Sequence, residues 1–183
     1  MLRRVFLGTL LMGALSACTG IVGGSDPRMD GTRSYELQGI TYAALPDLVV
    51  SEANNLYPSA DIVWRGDPLG DRVAQIGTMF QEAARKNVGT FGGSQPIIAD
   101  IVLVRFHGVT ERTNYSFGGV HNVIFLMTVR DARSGEVLEP QRRIVANLDA
   151  PGGNESVRLE AIGQTQRVRI IDFLASTLRD ELR

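Results

Sequence analysis

The chain has 183 residues, with 19 basic and 20 acidic side chains, two histidines and one cysteine, for a formal charge of −1. There is no Lys/Arg cluster dense enough to suggest binding of a phosphate backbone or anionic lipid by a basic patch, and no nucleic-acid partner is expected. A lone cysteine excludes an intramolecular disulfide, and the length suits one domain with a real core.

Arg3 and Arg4 precede an apolar run from Val5 to Leu15, and Leu15-Ser16-Ala17-Cys18 closes it with small residues. This is the layout of an export leader. The run would form a helix about 16 Å long, against a hydrocarbon core of roughly 30 Å, so it cannot span a membrane and stay there. Leu15-Ser16-Ala17-Cys18 resembles the lipobox of bacterial lipoproteins. That resemblance implies cleavage before Cys18, a diacylglyceryl thioether on its sulfur and an acyl chain on the new amino group. No other cofactor is expected. An unmodified thiol would be an oxidation liability outside the cytosol, which a thioether removes, and several acyl chains at about 0.8 kcal/mol per buried methylene hold where one does not. The alternative is an ordinary secretory signal in which Cys18 is incidental. With residues 1–17 removed, 17 basic residues face 20 acidic ones, a charge of about −3. Thr19, rather than an aspartate, follows the cysteine and resembles the pattern sorted to the outer membrane.

Residues 18–34 are rich in Gly, Ser, Asp, Pro and Arg without apolar periodicity and read as a tether. From Tyr35 to Glu52 the β-branched and apolar content predicts one or two strands interrupted at Pro46, which lacks an N–H for a ladder. Asp61 to Trp64 predicts a short strand. Asp67 is placed to cap a following helix with Pro68 in its first turn, and Leu69, Val73, Ile76, Phe80 and Ala83 form one apolar stripe. Asp71 and Arg72 fall on the wet side, Gly77 lies on the stripe where it allows close approach, and Gly89 ends the helix.

Ile97 to Val109 is apolar on both parities and predicts a central strand, with Asp100 its exception. After a polar connection, Val120 to Arg130 and Glu136 to Leu148 predict a hairpin around Asp131-Ala132-Arg133-Ser134-Gly135, with Gly135 in the left-handed position. A loop at residues 149–154 leads into a helix running to Leu182, its face set by Val168, Ile171, Leu174, Leu178 and Leu182. The order predicts an α+β domain over residues 35–183: an antiparallel-dominated sheet of about four to five strands with two helices packed on one face.

Residues 60–68 (Ala-Asp-Ile-Val-Trp-Arg-Gly-Asp-Pro), Val104-Arg105-Phe106-His107, Gly118-Gly119-Val120-His121 and the turn at residues 131–135 together resemble an alphaproteobacterial lipoprotein family of uncharacterised function. The likeness covers most of the chain after the leader and implies no catalytic residue.

Two constellations invite chemistry. His107 ends one strand and His121 begins the next, so a hairpin would bring them near each other, with Asp61, Asp67 or Asp71 as a third ligand. The spacing of a metal site such as His-x-x-x-His is absent, and no metal is expected. Trp64, Arg65 and Asp67 can form a binding lip, or Trp64 can fill the core while Asp67 caps the helix. No Gly-x-Ser-x-Gly elbow or phosphate loop is present. The arginines at 105, 112, 130, 133, 142 and 143 concentrate on the central strands and their turns, with Asp100, Glu111, Asp131 and Glu139 as partners; several on one face would suit an acidic partner.

The leading expectation is a non-enzymatic, lipid-anchored, periplasm-facing envelope protein, placed at the outer membrane, that acts by contact with another envelope protein. The alternative is a small-ligand or glycan binder, or a hydrolase, using Trp64, Arg65, Asp67, His107 and His121.

Overall fold

The structure, a computed structural model, describes residues 33–183. The leader, Cys18 and all but the end of the tether lie outside the described residues. The elements run β1 (Tyr35–Ala44), β2 (Val50–Ser51), β3 (Ile62–Val63), α1 (Arg72–Arg85), β4 (Gln95–His107), α2 (Glu111–Asn114), β5 (Gly119–Asp131), β6 (Val137–Ala150), α3 (Gly153–Ala161) and α4 (Gln166–Leu182).

β4 is the centre, as its two-parity apolar pattern requires. One side pairs antiparallel with β5 along its length, and β5 pairs antiparallel with β6. The other side is shared end to end: β1 runs parallel to Gln95–Leu103, and β3, with β2 beyond it, runs parallel to Phe106–His107. The fold is therefore α+β, but with six strands rather than four or five and three parallel ladders beside two long antiparallel ones. Parallel pairing of β1 with β4 needs a crossover, and the chain between them supplies α1.

The strand period of two gives the sheet an inner and an outer face. Inner residues Leu37, Ile97, Ile101, Leu103, Phe106, Val123, Phe125 and Met127 are buried against Ile76, Phe80, Ile170, Leu174 and Leu178 of α1 and α4. Gly77 does what its place on the stripe requires: a Cβ there would lie 2.7 Å from the Tyr42 ring of β1.

Three expectations about the helices are corrected. α1 begins at Arg72 with Asp71 as its cap, accepting from the Ala74 amide at 3.0 Å, so Asp67 is not the cap and Leu69 is solvent-exposed. Arg72 is not on the wet side. It is buried, gripping Glu52 through Nε (2.7 Å) and Nη2 (2.8 Å) and donating through Nη1 to Gln75 and to the Asp67 and Pro68 carbonyls. The last helix is two, because Gly163 adopts φ +80° just past the end of α3 and Thr165 caps α4 at the Val168 amide. α1 and α4 are the pair on the inner face; α2 and α3 bring the described helices to four.

Candidate functional site

The five residues expected to form a site are not brought together. Trp64 is fully buried, edge-on to Phe106 with ring centroids 5.6 Å apart. Its indole N–H donates to Asp67 Oδ2 at 2.7 Å, and Asp67 Oδ1 meets Arg167 Nε at 3.2 Å. Arg65 turns the other way, donating to the Glu52 carbonyl (2.7 Å) and to Glu111 Oε2 (3.2 Å). The histidines separate because His107 pairs across the ladder with Asn122, one residue past His121. A one-residue offset puts side chains on opposite faces. His107 lies on the outer side with Nε2 2.9 Å from the Pro58 carbonyl oxygen, whereas His121 is buried on the inner side. Among the described residues no three His, Cys, Asp or Glu side chains are grouped as metal ligands.

The outer face collects the arginines instead. Ladder register sets two cross-strand rows on it: Arg105 of β4, Ile124 of β5 and Val145 of β6, and beside it Val102, Leu126 and Arg143. Four aliphatic side chains thus lie between arginines at alternate ends. Val145 is half exposed, and α1 and α4 both pack on the opposite face. Neither Arg105 nor Arg143 makes a side-chain hydrogen bond or ion pair among the described residues, whereas Arg130 on the same face is held by Asp100 at 2.6 Å. Asp100 also accepts from Thr41 at 2.7 Å, which explains a carboxylate in the middle of an apolar strand. Arg105 further lines a groove of about 490 Å³ with Val49, Tyr57, Pro58 and Asp61. The other arginines leave this face: Arg142 binds Glu139 and Glu181, and Arg112 and Arg133 sit on α2 and the β5–β6 turn.

On the inner side, sequence reasoning missed a polar layer where α2 and α3 meet the start of β5. Asn114, Ser156 and His121 are all essentially inaccessible. Asn114 Nδ2 donates to Glu160 Oε1 at 3.0 Å, and Tyr115 donates to the other carboxylate oxygen at 3.0 Å. The Val109 amide donates to His121 Nδ1 at 3.2 Å. Burial, aided by the nearby Arg169 charge, pushes the His121 pKa down to about 3, so the ring is neutral at pH 7. The one available signal was parity: His121 stands two residues before Val123 and four before Phe125, on the inward register of β5.

No curated protein matches the chain. The profile described as "Family of unknown function (DUF6778)" matches residues 35–183. Among solved structures, similarity extends to a candidate lipoprotein from Caulobacter crescentus CB15, with 14% identity, 78% of this chain and 86% of that one covered, and a TM-score of 0.38. Lipoprotein GNA1162 from Neisseria meningitidis is 16% identical over 50% of this chain and 57% of its own, with a TM-score of 0.21.

Proposed function

This chain belongs to a family of unknown function, DUF6778, and from its own residues we propose that it is a lipid-anchored, periplasm-facing envelope protein that binds a protein partner through its outer sheet face. The partner surface is one of aliphatic side chains flanked by carboxylates. The observation that carries this reading is the pair of rows Arg105–Ile124–Val145 and Val102–Leu126–Arg143, which join apolar area to two arginines without a side-chain partner among the described residues. Patches of this composition mark contact surfaces, and guanidinium groups suit carboxylates by their forked geometry. The leader ending at Cys18 supports the membrane side of the reading, with the outer membrane as the destination that Thr19 suggests. Among the described residues no helix is long and apolar enough to cross a membrane, and the described side chains suggest binding rather than catalysis.

Photo-cross-linking in intact cells tests it. A photoreactive residue at Val145 is expected to give one discrete protein adduct that disappears in the R105E/R143E background, and the same residue at Asp172 on α4 is expected to give none. Equal labelling from both positions, or an adduct indifferent to the two charge reversals, would overturn the reading.

A further inference from the structure

α4 carries two arginines two residues apart with opposite fates. Arg167 is saturated, holding Glu82 through both terminal nitrogens (2.9 and 2.8 Å) and Asp67 through Nε. Arg169 is not: its Nε and Nη2 are both inaccessible to solvent and have no hydrogen-bond partner among the described residues. These two N–H groups form one edge of the guanidinium and project in parallel, the fork that grips a carboxylate or phosphate by two hydrogen bonds.

A third donor belongs to the same layer. Because the Val109 amide donates to Nδ1 of His121, that nitrogen carries no proton, and the proton of the neutral ring is on Nε2. Nε2 is buried and likewise without a partner among the described residues. The charge of Arg169 acts on this ring. Buried polar groups are ordinarily paired, yet among the described residues these three N–H groups have no acceptor and, in the same layer, Asn114 Oδ1 has no donor. Glu160, whose charge acts on Arg169, has both of its oxygens engaged by Asn114 and Tyr115. Ser156 Oγ, one turn before Glu160 on α3, is also buried and unpartnered and adds a group able to donate.

We propose that the Nε/Nη2 edge of Arg169 and the Nε2–H of His121 form a site beneath α3 for a small oxyanion, a carboxylate or a phosphate group. This goes beyond the protein contacts of the outer face and uses the opposite side of the sheet. α3 buries only Ser156 and has left-handed glycines at its start and just past its end, Gly153 at φ +59° and Gly163 at φ +80°. Arg169 as a whole is only half-buried, although its Nε and Nη2 are enclosed.

The test uses the full-length lipidated protein in non-ionic detergent at pH 7.5. Thermal unfolding is followed against sodium phosphate and sodium acetate, with sodium chloride at matched ionic strength as the reference. A saturable rise in Tm above chloride is expected from at least one of the two, and which one acts assigns phosphate or carboxylate. In Arg169→Lys, which keeps the charge and loses the fork, the half-saturating concentration is expected to rise about tenfold or more. Nitrogen-15 spectra of the unsubstituted protein provide a readout that does not depend on the variant folding: the His121 Nε2 resonance should move with the same half-saturation. No effect above chloride, an unchanged response in Arg169→Lys, or a stationary His121 resonance would each overturn the proposal.

Discussion

Trp64 donates its indole N–H to Asp67 Oδ2 at 2.7 Å, and the other oxygen of that carboxylate receives Arg167 of α4. One side chain thereby ties the segment after β3 to the last helix across the inner layer. Replacing Asp67 with Leu strands a buried indole donor and is expected to cost about 1–3 kcal/mol, whereas Asn keeps an acceptor and loses only a half-buried ion pair worth about 1 kcal/mol or less. Urea unfolding followed by the fluorescence of the single tryptophan separates the two. Equal losses would show that the indole hydrogen bond contributes nothing.

Arg72 and Glu52 are partners of unequal burial, the guanidinium side chain 4% exposed and the carboxylate 39%. Removing Glu52 leaves a buried cation, while removing Arg72 leaves an anion that water can reach. Glu52→Ala is therefore expected to cost about 2–3 kcal/mol, and Arg72→Met about 1 kcal/mol. Denaturant midpoints of the two variants give the order directly, and the reverse order contradicts the burial argument.

His121 makes stability depend on pH in a defined direction. Unfolded histidine titrates near 6.5, and in the folded protein burial pushes the value down to about 3. Between these values the unfolded chain holds a proton that the folded chain lacks. The contribution is fully present above about pH 6.5 and is lost as pH falls toward 3, by up to about 1.4 kcal/mol per unit. The charge that acts on the ring is that of Arg169 from α4. Because His121→Gln cannot titrate, the stability gap between the native protein and this variant should narrow from pH 7 to 4.5. Parallel pH profiles would place His121 in water rather than in the core.

Reversing charge on the outer face should leave the fold alone. Arg105 and Arg143 contribute no hydrogen bond among the described residues, so R105E/R143E is expected to change stability by no more than about 0.5 kcal/mol. A larger loss in thermal unfolding would mean that the arginines serve the fold and would weaken the case for contact through them.

These side chains also show what the sequence could reveal. β4, the β5–β6 hairpin and the apolar stripe of α1 were legible because their periodicities are unbroken and agree with their burial, and Gly135 adopts the left-handed turn expected of it (φ +75°). The start of α1 was misplaced because Asp67-Pro68 and Asp71 both have capping chemistry; only tertiary contact, Trp64 recruiting the first carboxylate, decides between them. The break in the last helix was written in Gly163 and Thr165, but the apolar face of α4 is continuous enough to mask it. The histidine pair failed on register. His107 opposite Asn122 rather than His121 is a single-residue matter that a hairpin drawn from composition does not fix. Arg169 gave no signal at all, since a half-buried arginine on a helix reads as a solvated one until its neighbours are known.

The claim on which the functional account rests is that Cys18 carries the lipid that holds this domain at a membrane. Intact-mass analysis of the protein extracted from native membranes tests it most directly. The account predicts a chain beginning at residue 18, heavier than its polypeptide by a diacylglyceryl group and an amide-linked acyl chain. A chain that retains residues 1–17, or one beginning at Cys18 with a free thiol, would contradict it.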